Sequence, residues 1–413
     1  MRIAFVDLFF SRPPHGGGDV DMFHVVSGAQ AMGHEVCLFA ARDGETWERG
    51  RVDASTTPFP VRVLPFAGTE FRAEAVAAAF QREVDAWRPD AVFLGQGFQM
   101  KPYAALALRH YPLVSRFHAH EAACHRDILH FKNGAPCPEN YLQNPDHCRA
   151  CALARWTPEL RSGTANAWLR EYTGARAFEP GYHKIFRDFL SALRVALVYH
   201  PAMIPPLGGL PASVRMVPSG VDPAAFAAAP PPEHGQGQKL SIFMPGRAED
   251  PAKGFDTLAR AAEQLWKKRQ DFEVRATLPQ DCGNAPWLRC LGWLDHAAMS
   301  EAYRAADLCA VPSVWEEPWG LVAIEAMASA RPVVASRCGG LAEIVAEGET
   351  GMLFPPGNAD ALAECLDRLL DDAALRERMG RAGRMRVEAL YSWERIMEQH
   401  YRPLWDELAG TNP

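Results

Sequence analysis

Short apolar runs alternate with longer amphipathic stretches along the whole chain. The apolar runs are continuous, which is typical of parallel strands covered by helices on both faces. The predicted strands are Ile3–Leu8, Glu35–Ala40, Val61–Pro65, Ala91–Gly95, Leu113–Phe117, Val195–Tyr199, Leu240–Met244, Glu273–Thr277, Leu308–Val311, Val333–Ser336 and Met352–Phe354. The pattern predicts an α/β protein with two doubly wound domains.

A stretch rich in proline and glycine, residues 227–238, separates the two groups of strands. This composition disfavours both helix and strand, so we interpret the stretch as a linker. A chain of 413 residues also exceeds what one hydrophobic core usually supports. We therefore expect an N-terminal domain over residues 1–226, a C-terminal domain over residues 227–390 and a terminal segment over residues 391–413.

Composition narrows the class of protein. Hydrophobic residues make up 48% of the chain and charged residues 23%, which are ordinary values for a soluble globular protein. A net charge of -7 argues against a dedicated nucleic-acid binder. No apolar run reaches the ~18 residues of a membrane span, and the N-terminus has the pattern of a strand rather than a signal peptide. These features predict a cytoplasmic enzyme.

A helix is predicted to begin after Gly320. Pro318 is incompatible with a helix interior, whereas residues 321–330 are good helix formers. The unpaired amides at Gly320 and Leu321 would point into the preceding loop. Because glycine allows close backbone approach, this helix start is suited to binding a diphosphate.

Two glutamates flank this helix start, eight positions apart: Glu317 and Glu325. Glu317, in the loop, could contact a group beyond the phosphates. Glu325, about one and a half turns into the helix, could face a group on the other side. An ordinary amphipathic helix with two solvated glutamates is the alternative interpretation.

Arg247 and Lys253 lie in a loop after a predicted strand, next to Gly246 and Gly254. The planar guanidinium and the mobile ammonium both suit phosphate oxygens. The glycines permit the tight loop that phosphate-binding turns require. Both cations could instead be solvated, as most Arg and Lys side chains are.

Four segments resemble, in the same order, motifs of the retaining GT-B glycosyltransferases of the large family numbered four. Residues 317–325 resemble its E-x7-E motif, residues 243–256 its strand-Gly-Arg…Lys-Gly motif, residues 217–226 its Pro-Asn-Gly-Val-Asp…Phe element, and residues 336–343 its Gly-Gly-x-x-Glu turn. Ser219 replaces the usual Asn of the third motif, and Trp319 stands where Phe is commoner.

The resemblance implies two Rossmann-like domains that face a cleft, and a C-terminal helix that returns to the first domain. It implies transfer of a sugar, with retention, from a UDP- or GDP-linked donor to a hydroxyl of a glycan or lipid-linked glycan in cell-surface polysaccharide synthesis. No divalent metal is expected in catalysis. The implied catalytic residues are His118, Glu317, Arg247 and Lys253, and the implied donor-binding residues are Gly17, Gly18, Arg247, Lys253, Glu317, Trp319, Gly320, Leu321 and Glu325.

Within these sets, Glu317 would orient the sugar, Glu325 would bind the ribose, and Arg247 and Lys253 would neutralise the diphosphate. A lipid-linked acceptor would bring the protein to the inner face of a membrane. The oligomeric state stays open.

The first domain carries weaker motifs. Gly17 and Gly18 belong to a glycine-rich loop after the first strand, where the family has such a loop; a plain strand-to-helix turn is the alternative. His118 ends the fifth predicted strand, at the edge where open α/β sheets place ligands, and resembles a histidine that faces the sugar in related enzymes. His120 is a rival for this role, and either histidine could be structural.

Cys124, Cys137, Cys148 and Cys151 fall within 28 residues. In a reducing compartment, a C-x2-C pair with two further thiols is a metal-ligand pattern. These four cysteines, in an insertion over about residues 120–155, are predicted to bind structural zinc or an iron–sulfur cluster that orders a loop poor in apolar residues. Four unrelated thiols are the alternative. The remaining cysteines are interpreted as small core residues: Cys37, Cys282, Cys290, Cys309, Cys338 and Cys365.

Three other functions stay open at this point. A nucleotide-sugar epimerase of the same architecture would share the diphosphate site. A non-catalytic glycan-binding protein would be expected to have lost the charged site residues, which are present here. A metal–sulfur redox sensor would use the four cysteines but would leave the second domain unexplained.

Overall fold

The computed structural model describes residues 1–45, 49–163, 166–226, 232, 235 and 237–410. They form two compact units. The first unit comprises Met1–His130, Pro138–Pro218 and Ile396–Pro413, and the second comprises Phe131–Cys137 and Ser219–Arg395. Most of the predicted linker at residues 227–238 lies outside the described residues.

The first unit contains a parallel sheet. The strands up to residue 216 are β1 (Arg2–Asp7), β2 (Glu35–Asp43), β3 (Val61–Phe66), β4 (Ala91–Leu94), β5 (Leu113–Arg116), β6 (Phe131–Lys132), β7 (Ala135–Pro136), β8 (Val195–Val198) and β9 (Val214–Met216). The sheet order is β3-β2-β1-β4-β5-β8-β9, while β6 and β7 form a separate antiparallel hairpin. The strands predicted for this half are confirmed to within three residues at each end. Strand β9 was not predicted because it is short, contains an arginine and exposes half of Met216 at the sheet edge.

Helices cover this sheet as the doubly wound pattern requires. They are α1 (Gly17–Ala31), α2 (Ala73–Trp87), α3 (Lys101–Ala107), α4 (Pro145–Ser162), α5 (Ala167–Gly174) and α6 (Tyr182–Ala192). The strand order changes direction between β1 and β4. Open α/β sheets bind ligands at such a point, beyond the carboxyl ends of the strands.

The four-cysteine metal centre predicted at Cys124, Cys137, Cys148 and Cys151 is wrong. Among the described residues, no group of three or more His, Cys, Asp or Glu side chains is arranged to hold a metal ion. Cys148 and Cys151 lie inside α4, and Cys137 follows β7, which belongs to the second unit. The same C-x2-C spacing that suits a metal-binding turn also spans one turn of helix, so the spacing alone could not separate the two.

The segment between these cysteines contains a short hairpin and the start of a helix. The hairpin of β6 and β7 turns through Asn133 and Gly134, both with positive φ. Helix α4 then begins at Pro145, a residue whose fixed φ favours the first helical turn. Local turn and helix signals therefore account for these two elements.

The second unit contains its own parallel sheet. Its strands are β10 (Leu240–Met244), β11 (Phe272–Ala276), β12 (Leu288–Cys290), β13 (Leu308–Val311), β14 (Val333–Ser336) and β15 (Gly351–Phe354). The order is β12-β11-β10-β13-β14-β15. The strands predicted for this half are confirmed. The unpredicted β12 is a three-residue edge strand that is only partly buried, so its apolar signal is weak.

The helices of the second unit are α7 (Phe255–Trp266), α8 (His296–Arg304), α9 (Leu321–Ala328), α10 (Leu341–Ile344), α11 (Ala359–Asp371), α12 (Ala373–Arg386) and α13 (Trp393–Ile396). Helix α9 begins directly after Gly320, as predicted, and ends two residues before the predicted boundary. Its buried face packs beside β13 and β14, with Ile324 and Met327 fully buried. The loop before α9 is thereby fixed against the sheet.

Cys282 and Cys290 form a disulfide, with 6.3 Å between their Cα atoms. Their interpretation as separate core residues is wrong. Both are only partly buried and pack against the core of the second unit; Cys282 lies before β12, and Cys290 is the last residue of β12.

The chain returns to the first unit at its C-terminal end. Helix α14 (Arg402–Gly410) places the Trp405 ring 6.2 Å from the Phe5 ring and 5.9 Å from the Phe93 ring. These rings belong to β1 and β4, so α14 covers one face of the first sheet. In the described part of the chain, no helix is both long and apolar enough to cross a membrane.

Candidate active site

Glu317 is a buried carboxylate held by three side-chain donors. Lys253 Nζ lies 2.9 Å from its Oε1 and 2.8 Å from its Oε2. Ser313 Oγ and Trp315 Nε1 each donate to Oε2 over 2.9 Å. Burial raises the pKa of Glu317, but the Lys253 ammonium and these hydrogen bonds outweigh burial and lower that pKa below its ordinary value. Glu317 is therefore ionised at neutral pH.

Two glycines allow the loops around this carboxylate to approach each other. Gly254 has φ 78°, and a Cβ there would collide with the carbonyl oxygen of Pro312. Gly339 has φ 47°, and a Cβ there would collide with the Glu317 backbone. Both positions combine a left-handed backbone with a close approach, which only glycine tolerates without strain. The Lys253 turn and the Glu317 loop are thus brought together by backbone packing.

The Arg247 turn lies beside the first turn of α9. Gly246 has φ 92°, and a Cβ there would lie 3.6 Å from Cγ1 of Val322. The Arg247 side chain is 55% exposed, and its guanidinium lies 3.6 Å from Asp250. More than half of this side chain is therefore accessible, on a turn that lies beside the helix start, where Gly320 has φ 113°.

Glu325 lies one turn further along α9 and is partly buried. Its Oε2 accepts a hydrogen bond of 2.7 Å from the hydroxyl of Tyr303. Burial raises the pKa of Glu325 to about 7, against the lowering effect of that hydrogen bond. Tyr303 is fully buried and its hydroxyl also lies 3.3 Å from the carbonyl oxygen of Val322, so it fixes this part of the helix.

Trp319 has little surface to offer a ligand. It is 6% exposed, and its Nε1 donates to the carbonyl oxygen of Ser219 over 2.9 Å. Its ring lies 5.6 Å from the Tyr391 ring in an edge arrangement. These contacts join the loop before α9 to Ser219 and Tyr391, and they hold that loop in place.

Arg247, Lys253 and Glu317 lie beyond the carboxyl ends of β10 and β13. Residues 246–254 follow β10, and residues 312–320 follow β13. The two strands are neighbours, and the strand order changes direction between them. This is the position at which open α/β sheets bind ligands. The structure therefore brings together the loop that carries Arg247 and Lys253 and the loop that carries Glu317, although Lys253 and Glu317 are 64 positions apart in the sequence.

Three side chains of this arrangement were missed at the sequence level: Ser313, Trp315 and Tyr303. Ser313 and Trp315 stand four and two positions before Glu317 in the same loop. That proximity was a usable signal, because a loop carboxylate is often held by nearby donors. No local pattern pointed to Tyr303, which is 22 positions away from Glu325.

In the first unit, Gly17 and Gly18 form the start of α1. A Cβ on Gly18 would meet the end of the Gln96 side chain, which would then have to move. The Asp19 carboxylate accepts from the backbone nitrogen of His15 and from Nε2 of Gln96, both over 2.8 Å. These bonds hold the loop after β1 against the loop after β4.

His118 lies just after β5, with 12% of its side chain exposed. Its Nε2 lies 3.3 Å from Oδ2 of Asp21, and its backbone nitrogen donates to Oε1 of Glu121 over 3.3 Å. His120 is 5% exposed, and its ring lies 5.9 Å from the ring of His130. The two candidate histidines therefore occupy different surroundings: a carboxylate for His118 and other imidazoles for His120.

Two families of known proteins match this chain. Residues 15–157 match the family described as Glycosyltransferase Family 4, and residues 230–386 match the family described as Glycosyl transferases group 1. A phosphatidyl-myo-inositol mannosyltransferase from Mycolicibacterium smegmatis is 32% identical over 203 residues, which cover 47% of this chain and 52% of that protein. The chain thus spans about half the length of this relative.

A glycogen synthase from Mycobacterium tuberculosis is 28% identical over 421 residues, covering 96% of this chain and 92% of that protein. Among solved structures, Anabaena Alr3699/HepE in complex with UDP-glucose has a TM-score of 0.66 at 17% identity, covering 98% of this chain and 100% of that one. At this identity the likeness concerns the fold. The chain therefore has the two-domain α/β fold of GT-B proteins, and its two halves are similar to the Glycosyltransferase Family 4 and Glycosyl transferases group 1 families, respectively.

Proposed function

We propose that this protein is a retaining glycosyltransferase that moves a sugar from a UDP- or GDP-linked donor to a hydroxyl of a glycan or glycolipid acceptor. The observation that carries the proposal is the Lys253–Glu317 pair at the carboxyl ends of β10 and β13, with the exposed Arg247 side chain on the same loop as Lys253. In this arrangement, the two cations would bind the diphosphate of the donor, and the carboxylate would bind its sugar.

The cations suit the leaving group. A lysine ammonium has three donors, and the two contacts with Glu317 leave donor capacity on Lys253. The Arg247 guanidinium is more than half exposed. Together with the amides at the start of α9, these groups would stabilise the negative charge that develops on a departing nucleoside diphosphate.

The carboxylates suit the sugar parts of the donor. Among the described residues, Oε1 of Glu317 accepts a hydrogen bond from Lys253 alone, and a carboxylate oxygen can accept another, here from a sugar hydroxyl. Because its pKa is lowered, Glu317 acts as an acceptor and an orienting group, not as a proton donor. Glu325, on the next turn of α9, would accept from the ribose hydroxyls. The roles of His118, Gly17 and Gly18 stay predictions that rest on the resemblance.

The relatives support the substrate classes. Alr3699/HepE is described in complex with UDP-glucose, which is a nucleotide-sugar donor. The mannosyltransferases are named for phosphatidyl-myo-inositol, a lipid, and the glycogen synthases for a polysaccharide. We therefore include both glycans and glycolipids as acceptors, with a role in cell-surface polysaccharide synthesis. A glycolipid acceptor would bring the protein to the inner face of a membrane as a peripheral protein.

The test is a thermal-shift panel of UDP- and GDP-linked sugars and the free diphosphates, followed by transfer assays with the ligands that bind. A ligand at about 100 times its dissociation constant should add about 2.7 kcal/mol of stability. We expect one nucleotide series to stabilise the protein, and the product linkage to keep the anomeric configuration of the donor when measured by NMR.

Glu317→Gln should abolish most of the transfer, whereas Glu263→Gln, an exposed glutamate on α7, should leave it unchanged. Release of an epimerised sugar from the donor without an acceptor would identify an epimerase instead. Absence of binding by every nucleotide and nucleotide sugar would refute the proposal.

A further inference from the structure

Trp315 contacts both members of the Lys253–Glu317 pair in the second unit, although the proposed function assigns it no role. Its Nε1 donates to Oε2 of Glu317 over 2.9 Å, and Nζ of Lys253 lies 4.9 Å from the centre of its ring. The backbone nitrogen of Val314 donates to the carbonyl oxygen of Ala252 over 2.9 Å, which ties the loop of Trp315 to the turn of Lys253. Only 4% of Trp315 is exposed, so it has little surface of its own to offer a ligand.

The two oxygens of the Glu317 carboxylate are used unequally. Oε2 receives three hydrogen bonds, from Lys253, Ser313 and Trp315. In the part of the chain that the structure describes, Oε1 receives one, from Lys253. An ionised carboxylate has about four lone-pair sites, two on each oxygen. Oε2 therefore has no acceptor capacity left, whereas Oε1 can accept a further hydrogen bond.

We propose that Trp315 is a positioning residue, which holds Oε2 of Glu317 through its indole N–H and Lys253 through the face of its ring, so that Oε1 is the oxygen that accepts from the donor. The sugar would therefore be recognised through a hydrogen bond to one carboxylate oxygen, and not through a pair of hydroxyls bridged by both oxygens. This consequence for the sugar rests on the proposed function. The two contacts of Trp315 do not, because they form without any ligand.

An indole suits this role because its N–H can only donate, whereas the hydroxyl of Ser313 can donate or accept. Burial raises the pKa of Glu317, but the Lys253 ammonium and then the Trp315 hydrogen bond outweigh burial and keep that pKa below its ordinary value. The ammonium of Lys253 is in turn attracted by the negative face of the indole ring. One side chain thus stabilises the charges of both partners.

The direct test is the indole N–H signal of Trp315 in the full-length protein. The protein is labelled with ¹⁵N-tryptophan, and Trp315→Phe identifies the signal in the ¹H–¹⁵N spectrum by its loss. Glu317→Gln should move this signal upfield, because a neutral amide oxygen makes a weaker hydrogen bond than a carboxylate. Glu263→Gln, at an exposed glutamate of α7, is the matched control and should leave the signal in place. A Trp315 signal that Glu317→Gln does not move would overturn the proposal.

Two substitutions separate the indole N–H from the ring. Trp315→Phe keeps an aromatic face for Lys253 but removes a donor that fixes Glu317, so turnover with UDP- or GDP-linked sugars should fall by about tenfold or more, the usual weight of a hydrogen bond to a charged group. Its affinity for free UDP or GDP should not change. Trp315→Leu also removes the ring beside Lys253, so it should weaken binding of the free diphosphate as well. Trp287→Phe, at another buried tryptophan of the second unit, is the matched control and should change neither quantity.

The turnover number distinguishes a positioning role from a structural one. A folded Trp315→Phe protein that transfers sugar at the parental rate would overturn the proposal, because a merely structural tryptophan changes stability and not turnover. If Trp315→Phe does not fold, Ser313→Ala and Glu317→Gln should still move one and the same indole signal, since both alter the group that accepts from Trp315. The absence of such a signal would also overturn the proposal. If no nucleotide sugar is a substrate, the proposed function fails, while the indole signal still decides whether Trp315 holds Glu317.

Discussion

The ammonium of Lys253 lies within hydrogen-bond distance of both carboxylate oxygens of Glu317, 2.9 Å from Oε1 and 2.8 Å from Oε2. The side chains are 21% and 9% exposed, so the pair is largely removed from water. Removing one partner of such a pair leaves a poorly solvated charge, which costs more than the pair itself contributes. A substitution in this pair should therefore affect both the stability of the second unit and the proposed transfer reaction.

We expect Lys253→Met to lower the free energy of unfolding by about 3 kcal/mol, because the Glu317 carboxylate loses its counter-ion. The loss should shrink when Glu317→Gln is added, since the buried charge is then removed as well. Urea denaturation of the two single variants and the double variant measures this coupling. Lys268→Met, at an exposed lysine after α7, is the matched control and should change stability by less than about 0.5 kcal/mol. If Lys253→Met lowers the free energy of unfolding equally in the parent and in Glu317→Gln, the two side chains are not coupled.

Arg247→Ala should lower the turnover number by about 10²-fold or more and leave stability nearly unchanged. The side chain is 55% exposed, so the fold does not depend on it, whereas a departing diphosphate would lose a cation that stabilises its charge. Steady-state kinetics and thermal melts measure the two effects. Arg378→Ala, at an exposed arginine of α12, serves as the control for removing one positive charge. Transfer at the parental rate by Arg247→Ala would remove Arg247 from the site.

Substitutions of the two glutamates should have different effects, one on binding of the nucleoside diphosphate and the other on turnover. Glu325→Gln should weaken binding of the bare nucleoside diphosphate by about tenfold or more, because a hydrogen bond to a charged group is worth about 1.5–3 kcal/mol and the ribose is common to donor and product. Glu317→Gln should leave that affinity nearly unchanged and lower turnover, since the sugar is the part of the donor that Glu317 would contact. Calorimetry with the diphosphate and assays with the whole donor test both statements. The opposite result would mean that the two roles are exchanged.

Glu325 should also make stability depend on pH. Burial raises its pKa from 4.5 to about 7 in the folded protein, so between these values the unfolded chain releases a proton that the folded protein keeps. The free energy of unfolding should therefore fall as the pH rises from 4.5 to about 7, and this contribution should level off above that range. In Glu325→Gln this contribution is absent, so its stability relative to the parent should rise across the same pH range. A stability difference that does not vary with pH would show that Glu325 has an ordinary pKa.

Gly254→Ala should destabilise the protein more than Gly348→Ala. The two glycines have φ of 78° and 75°, so alanine costs about 1–2 kcal/mol of backbone strain at either position. At Gly348 the space around a Cβ is open, whereas at Gly254 it collides with the carbonyl oxygen of Pro312. The difference between the two variants in urea denaturation isolates this collision. Equal losses of stability would mean that the Lys253 turn and the Glu317 loop can move apart without cost.

The sequence by itself determined the parts of this protein that depend on neighbouring residues. Continuous apolar runs predicted the parallel strands, because a strand covered on both faces must be apolar along its length. Pro318 and Gly320 predicted the start of α9, because proline cannot lie within a helix and glycine accepts the φ of 113° before it. Where these local signals were weak, as in the short edge strands β9 and β12, the prediction failed.

Only the tertiary structure decided which side chains meet. Lys253 and Glu317 are 64 positions apart, and Arg116 and Asp21 are 95 apart, so neither pair leaves a local pattern. The strand order brings each pair together, and glycines such as Gly254 set how closely the loops approach. Cys124, Cys137, Cys148 and Cys151 show the opposite: they are close in the sequence, and their spacing suggested one metal centre. Helix α4 and the hairpin before it instead distribute those thiols, because sequence spacing fixes proximity along the chain and not the direction in which a side chain points.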